Sequence, residues 1–302
     1  MSWVRDNQMT WLQKLGVRII ASGRVPKHVA FIMDGNRRYA KKHNVQTYEG
    51  HSKGFDRLAE TLPWCSELGI KEVTVYAFSI ENFKRPQEEV DALMDLARQK
   101  FQRLLDERDK LKEHGVHIRI IGNLELLPED LRKLMAQAIL ITKDNNRSIL
   151  NIAYAYTARE EILQTVKQAV GGVTDGVLSP SNVTKELLSK TLYTNKSPTP
   201  DLLIRTSGEV RYSDFLLWQV SCSCVYFTNV LWPDFTLWHL LGAVFYYQRS
   251  YQNMQIVREL ENQCSENIAP AELSYQVDEF VEKVNEKRLH WLSQHAELEV
   301  IT

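Results

Sequence analysis

Cysteine is scarce in this chain: Cys65, Cys222, Cys224 and Cys264 are all there is, and none forms a CxxC pair. That excludes a disulfide scaffold and predicts a reducing, cytosolic setting, in which the sequons at Asn146, Asn182 and Asn195 are chance matches. A charge excess is also missing. Thirty-seven basic residues against thirty-eight acidic ones leave a net charge of -1, so the chain is not built to coat nucleic acid. Any anion it binds must be gripped by local placement of arginines. The N-terminus has no uninterrupted apolar core, so no cleavable signal peptide is expected. The most apolar stretch, Val230 to Tyr247, is broken by Pro233, Asp234 and His239 and reads as a loop and a core helix rather than a span. No P-loop, no GxGxxG after the first strand and no cluster of metal ligands occurs, which counts against nucleotide-binding and phosphohydrolase chemistry. Internal repeats and low-complexity linkers are absent too.

What is there is 302 residues, 44% hydrophobic, enough for one sizeable core. Six short apolar runs read as strands: Val29 to Met33, Val73 to Phe78, Val116 to Ile121, Ile149 to Tyr156, Leu202 to Thr206 and Cys224 to Thr228. Between them lie helical patterns. The 52–68 segment carries one apolar stripe and a glycine stop, with Pro63 expected to kink it. The pattern from Glu88 to His114 predicts one long helix, and Thr157 to Glu160 predicts a capping box. Ser213 predicts an N-cap for a helix over Asp214 to Gln219. Strands alternating with helices imply an α/β fold, a largely parallel six-stranded sheet covered on both faces. Outside this α/β domain (23–250) lie an N-terminal amphipathic helix (1–22) and a helical C-terminal extension (251–302). In the first, Trp11, Leu15 and Ile19 at i, i+4, i+8 suit either a bilayer interface or packing on protein. In the second, Leu273, Val277, Phe280, Val284 and Leu292 form a stripe to be buried on this domain or on another chain.

The chemistry converges at strand ends. The first strand runs into Asp34, Gly35 and Asn36, then a helix opening with Arg37 and Arg38. Free N–H groups of a first helical turn and the helix dipole favour an anion there, and guanidinium forks suit phosphate oxygens. Asp34 either caps that helix beside solvated arginines or serves as the ligand of Mg2+ on a diphosphate. The second strand ends in Ser79, Asn82 and Arg85. The fifth ends in Arg205, followed by Arg211 and Ser213. Since ligands bind off the carboxyl ends of parallel strands, two anionic groups fit side by side. One lies on Asp34 and a metal, the other on Arg85, Arg205, Arg211 and Ser213. This requires Asp34, Arg205 and Arg211 to share one cavity.

Met33-Asp34-Gly35-Asn36-Arg37-Arg38 resembles a signature of the cis-prenyltransferases. So do Tyr76 to Phe83 with Arg85, Asp201 to Ser213, Leu216 to Gln219 and Leu231 to Phe235. The likeness runs from about residue 26 to 250, and the motifs stand in the same order as in that family. The eukaryotic branch, the catalytic subunits of dehydrodolichyl diphosphate synthase, is the most similar. No DDxxD occurs, which excludes the all-helical trans-prenyltransferases.

The resemblance implies a Mg2+-dependent transferase that condenses isopentenyl diphosphate repeatedly onto farnesyl diphosphate, making polyprenyl diphosphate for dolichol synthesis and protein glycosylation. The allylic diphosphate would lie on Asp34, Gly35, Asn36, Arg37 and Arg38, with the metal on Asp34. Isopentenyl diphosphate would lie on Arg38, Arg85, Arg205, Arg211 and Ser213. His51 and Asn82 match positions near the reacting groups, and the apolar sides of helices 52–68 and 88–105 would house the growing chain. Two departures matter. Where single-chain bacterial relatives carry a metal-binding glutamate, this chain has Cys224, so the metal would rest on Asp34, diphosphates and water. Those relatives also end in an Arg-x-Gly tail, which is missing from Arg249 to Gln255. That resembles the arrangement in which a catalytically silent partner of the Nogo-B receptor type donates the tail, leaving this chain poorly active alone. The setting implied is peripheral, on the cytosolic face of the endoplasmic reticulum membrane. A silent regulatory subunit is the alternative, but such a subunit would have lost the anion-binding residues.

Overall fold

A computed structural model describes residues 3, 9–265 and 271–296. Helix α1 (Trp11–Ala21) starts at Thr10, whose side chain accepts from Gln13 while Gln13 answers to the Thr10 N–H. Strand β1 (His28–Ile32) is buried along its whole length. It is followed by α2 (Asn36–His43), α3 (Thr47–Leu68), β2 (Glu72–Ser79), α4 (Gln87–Asp106) and α5 (Arg108–His114). Then come β3 (Val116–Ile121), α6 (Glu129–Thr142), β4 (Ser148–Tyr156), α7 (Ala158–Thr174) and α8 (Lys185–Thr191). Strands β5 (Leu202–Arg205) and β6 (Cys224–Phe227) and helices α9 (Leu237–Ser265) and α10 (Ala271–Ala296) complete the described chain.

The six strands form one all-parallel sheet in the order β3-β4-β2-β1-β5-β6. Parallel strands covered on both faces are mostly apolar, which is why these segments read as near-continuous hydrophobic runs. From β1 the chain first builds outward to β2 and later returns to β5 on the other side. The carboxyl end of β1 is therefore a topological switch point, where the flanking connections diverge and leave a crevice. Register fixes what meets there: Ile32 lies opposite both Tyr76 of β2 and Arg205 of β5.

The strands stand as expected to within a residue or two, but three connections differ. The long helix over Glu88 to His114 is interrupted at Glu107, whose N–H is shared by the carbonyls of Arg103 and Leu104. That tightened last turn ends α4 without glycine or proline. At Thr157 only half of the capping box forms: its hydroxyl accepts from Glu160, while the Glu160 carboxylate bonds Asn123 and Tyr193 instead. No helix forms over Asp214 to Gln219; the segment is a series of turns in which Ser213, Asp214 and Leu216 hold left-handed φ values of 50°, 58° and 48°.

The C-terminal stripe buries on this chain. Val277, Phe280 and Val284 of α10 pack with Ala169, Leu178 and Leu187 from the α7–α8 region. The Arg288 guanidinium donates to the carbonyls of Thr191 and Leu192 at 2.5 and 3.0 Å, satisfying the end of α8. The side chain of Leu273 lies outside the described residues. Position 250 falls inside α9, which runs on to Ser265.

At the other end, α1 takes Trp11–Ala21 of the expected 1–22, of which residues 1, 2 and 4–8 lie outside the described residues. Trp3 is folded into the protein, 6% exposed, while Val4 and Arg5 lie outside the described residues. The face of α1 that touches the domain is centred on buried Val17. Trp11, Leu15 and Ile19, the stripe of the sequence pattern, stand in solvent at 73%, 47% and 62% exposure.

Candidate active site

A cavity of about 1020 Å³ opens at the carboxyl ends of β1, β2 and β5. Its polar end contains Asp34, Gly35, Asn36, Arg37, Arg38, His51, Asn82, Arg85, Arg205, Arg211 and Ser213, so all the residues expected in the site share one space. Its apolar end runs between α3 and α4, past Phe55, Leu58, Leu93, Leu96 and Phe101. Trp3 stands at that end. Its indole donates to the Lys100 carbonyl at 2.6 Å and its ring meets Phe55 edge-on at 4.6 Å.

Asp34 is held from every side. Its backbone N–H donates to the Thr206 hydroxyl, and its carbonyl accepts from that hydroxyl and from the Trp232 N–H. One carboxylate oxygen accepts the Gly35 N–H at 2.7 Å and the other accepts Arg205 Nη2 at 2.9 Å. Asp34 thus faces the cavity rather than capping α2. The N-cap is Gly35, at φ 108°, a backbone shape that a side chain would resist. The first-turn N–H groups of α2 have no intrahelical acceptors and border the cavity. Helix α3 crosses close above them: a Cβ at Gly54 would stand 2.3 Å from Asn36 Oδ1.

Arg205 is the hub, 2% exposed at the end of β5. Besides Asp34 it donates to the Ser213 hydroxyl at 2.7 Å and to the Arg211 carbonyl. Arg38 bonds both the carbonyl and the hydroxyl of Ser207 and stands 3.7 Å from Asp34. Arg85 pairs with Glu89 at 2.8 Å, and Arg37 reaches the same carboxylate at 4.0 Å. Arg211 pairs with Glu209, which also faces Arg38 at 3.5 Å. Burial, reinforced by the Arg85 charge and opposed by Glu89, lowers the His51 pKa to about 4, so its ring is neutral at physiological pH. Asn82 closes the turn after β2 by accepting the Ser79 N–H at 3.0 Å.

Glu89 and Glu209 escaped the sequence reading. Each neutralises arginines aimed at the cavity, and an incoming anion would have to displace them. Glu89 had a signal, its i, i+4 spacing from Arg85. Glu209 had none beyond its place in the loop after β5. Three buried polar atoms in the cavity wall, Asn36 Oδ1, His51 Nε2 and Arg205 Nε, lack a hydrogen-bond partner among the described residues. Unsatisfied buried groups are rare in native proteins, and three of them here line one cavity.

Among the described residues no three His, Cys, Asp or Glu side chains gather to hold a metal by themselves. A single carboxylate beside phosphate-binding groups is nonetheless the usual protein contribution to Mg2+, which keeps water and substrate oxygens as its other ligands. Asp34 fits that role. Cys224 does not bear on it: it opens β6 opposite Leu202, whereas Arg205 lies opposite Phe227 at the far end of the strand pair. Burial also raises the Cys224 thiol pKa.

Comparison with known proteins agrees with this geometry. A family model for undecaprenyl diphosphate synthases matches residues 32–255. The dehydrodolichyl diphosphate synthase complex subunit DHDDS of Homo sapiens is 56% identical over 260 residues, covering 86% of this chain and 78% of the relative. A tritrans,polycis-undecaprenyl-diphosphate synthase (geranylgeranyl-diphosphate specific) of Pyrococcus abyssi is 48% identical, covering 72% and 81%. The crystal structure of lavandulyl diphosphate synthase from Lavandula x intermedia in complex with dimethylallyl diphosphate superposes with a TM-score of 0.70 at 35% identity, covering 74% and 95%.

Proposed function

This chain belongs to the cis-prenyltransferase family, and from that premise we propose that it is the catalytic subunit of a synthase making dehydrodolichyl-type polyprenyl diphosphate. It adds isopentenyl diphosphate repeatedly to an allylic diphosphate such as farnesyl diphosphate, for dolichol synthesis and protein glycosylation. One observation carries the reading: two neighbouring anion-binding clusters share the mouth of a cavity whose far end is apolar. A silent regulatory subunit has no use for Asp34, Arg38, Arg85, Arg205, Arg211 and Ser213 in one space.

The allylic diphosphate lies on the first turn of α2, from Gly35 to Arg38, beside Asp34. Mg2+ held there by Asp34 would neutralise charge building on the departing diphosphate. Isopentenyl diphosphate lies on Arg85, Arg205, Arg211 and Ser213, with Arg38 between the two. Fixed cations that face developing charge provide electrostatic stabilisation, and holding the two substrates together provides proximity. The allylic carbon–oxygen bond breaks with its electron pair leaving on diphosphate. The isopentenyl double bond forms the new carbon–carbon bond, and the proton lost as the cis double bond forms passes to a diphosphate oxygen. Neutral His51 and Asn82 border the reacting region as uncharged hydrogen-bonding groups. The lengthening chain extends between α3 and α4 toward Trp3.

The site is completed by a partner of the Nogo-B receptor type, a silent subunit supplying an Arg-x-Gly tail. Residues 249–255 support this: they lie in the middle of α9 and cannot act as a tail into their own site. Trp238, Phe245 and Tyr246 on the same helix are about half exposed, an apolar face suited to a subunit contact. No helix among the described residues is long and apolar enough to cross a membrane. The solvent-facing Trp11, Leu12, Leu15 and Ile19 of α1 support peripheral contact with the endoplasmic reticulum membrane on its cytosolic face. Co-expression with the partner, followed by sizing of products from labelled isopentenyl diphosphate, tests the assignment. Long products are expected from the complex and few from this chain alone. Full turnover by the isolated chain would remove the partner, and no incorporation by the complex would overturn the function.

A further inference from the structure

The segment after β5 contains four of the six non-glycine residues with positive φ among the described residues: Ser207, Ser213, Asp214 and Leu216. A left-handed backbone is unfavourable for residues with a side chain, so something must hold it. At Ser213 and Asp214 the holding group is the start of α7. The Asp214 carbonyl accepts the Ala158 N–H at 2.8 Å. Its carboxylate accepts the Arg159 N–H at 3.2 Å and Arg159 Nε at 2.8 Å. Asp214 therefore caps a helix 55 residues away in sequence, and its negative charge lies at the positive end of that helix dipole. The neighbouring residues are fixed in the same way. Tyr76 donates to the Ser213 carbonyl at 3.3 Å, and the Phe215 ring stacks on Tyr76 at 4.5 Å.

The result is the placement of one hydroxyl. With the turn locked, Ser213 Oγ stands 2.7 Å from Arg205 Nη1 inside the cavity. We propose that Asp214 is a positioning residue for the second diphosphate: its clamp on the first turn of α7 holds Ser213 and the Arg211 backbone against Arg205. This rests on the reading of the cavity given above, and it assigns a role to a residue outside the set that grips substrate.

Asp214→Gly and Asp214→Asn in the intact complex test it. Glycine keeps the left-handed backbone and the carbonyl bond to Ala158, and deletes the two carboxylate bonds to Arg159. Asparagine tolerates the same φ and retains an acceptor oxygen for Arg159. With Asp214→Gly, the KM for isopentenyl diphosphate and its Kd in direct titration should both rise about tenfold, the size of effect that a lost cap produces. The KM for the allylic substrate should stay near wild type, the melting temperature should fall by roughly 2–4 °C as a lost cap requires, and Asp214→Asn should recover most of both losses. An unchanged isopentenyl diphosphate Kd in Asp214→Gly overturns the proposal. So does a parallel loss of affinity for both substrates, which marks a merely structural role. If the wild-type complex binds isopentenyl diphosphate but turns nothing over, the reaction falls while the Kd comparison still decides the role of Asp214. If it binds none, both fall.

Discussion

Replacing Asp34 by asparagine should damage the protein in two separable ways, and one of them should be repaired by an anion. The Arg205 guanidinium is buried to 2% exposure, and Asp34 is its only carboxylate partner among the described residues. Removing one member of a fully buried pair costs about 3–5 kcal/mol. Asp34 is about one-third exposed, so screening reduces the cost to about 1–3 kcal/mol. In a domain of this size that lowers the melting temperature by roughly 2–10 °C. Inorganic pyrophosphate would supply negative charge to the same guanidinium, so it should stabilise Asp34→Asn by more than it stabilises wild type. Turnover should not return with it, because the carboxylate for the metal is gone, a loss of about two to three orders of magnitude. Thermal melts of both proteins with and without pyrophosphate, beside a condensation assay, read the two effects. Equal stabilisation of wild type and variant would refute the idea that the diphosphate replaces Asp34 as the partner of Arg205. Near-wild-type turnover in Asp34→Asn would refute the role of the carboxylate.

Arg205 and Arg211 should behave differently although both belong to the same diphosphate cluster. Arg211 is exposed, so Arg211→Ala should weaken isopentenyl diphosphate binding by about 1.5–3 kcal/mol and leave the melting temperature alone. Arg205→Ala should weaken binding and also lower stability; identical behaviour of the two variants would contradict the hub geometry. His51 should contribute to acid sensitivity. Its folded pKa of about 4 lies below the usual 6.5, so the unfolded chain binds the proton more readily as pH falls. Stability from this group is fully present above about pH 6.5 and is lost toward pH 4, with a slope of up to about 1.4 kcal/mol per unit. His51→Gln should flatten that part of the profile in urea unfolding measured from pH 7 to pH 5, and an unchanged slope would disprove the assignment.

The sequence by itself determined the sheet and the chemistry at its edge. Buried parallel strands read as near-continuous apolar runs, so Val29 to Met33 or Leu202 to Ile204 cannot be mistaken for surface chain. The polar residues that follow them, Asp34 and Arg205 above all, then fall at the carboxyl edge where such sheets bind ligands. What only the tertiary structure decided is which distant groups satisfy one another. Arg205 reaches Asp34 across 171 residues and Asp214 reaches α7 across 55, and local periodicity holds no record of either pairing. A serine before a helical pattern looks the same whether it caps a new helix or, as at Ser213, enters a left-handed turn tied to one already built. Trp3 and Phe280 illustrate the same limit, because an apolar side chain specifies burial but not the partner that buries it. Burial is non-directional and written along the chain, whereas a hydrogen-bond partner is chosen by geometry that exists only after the chain has folded.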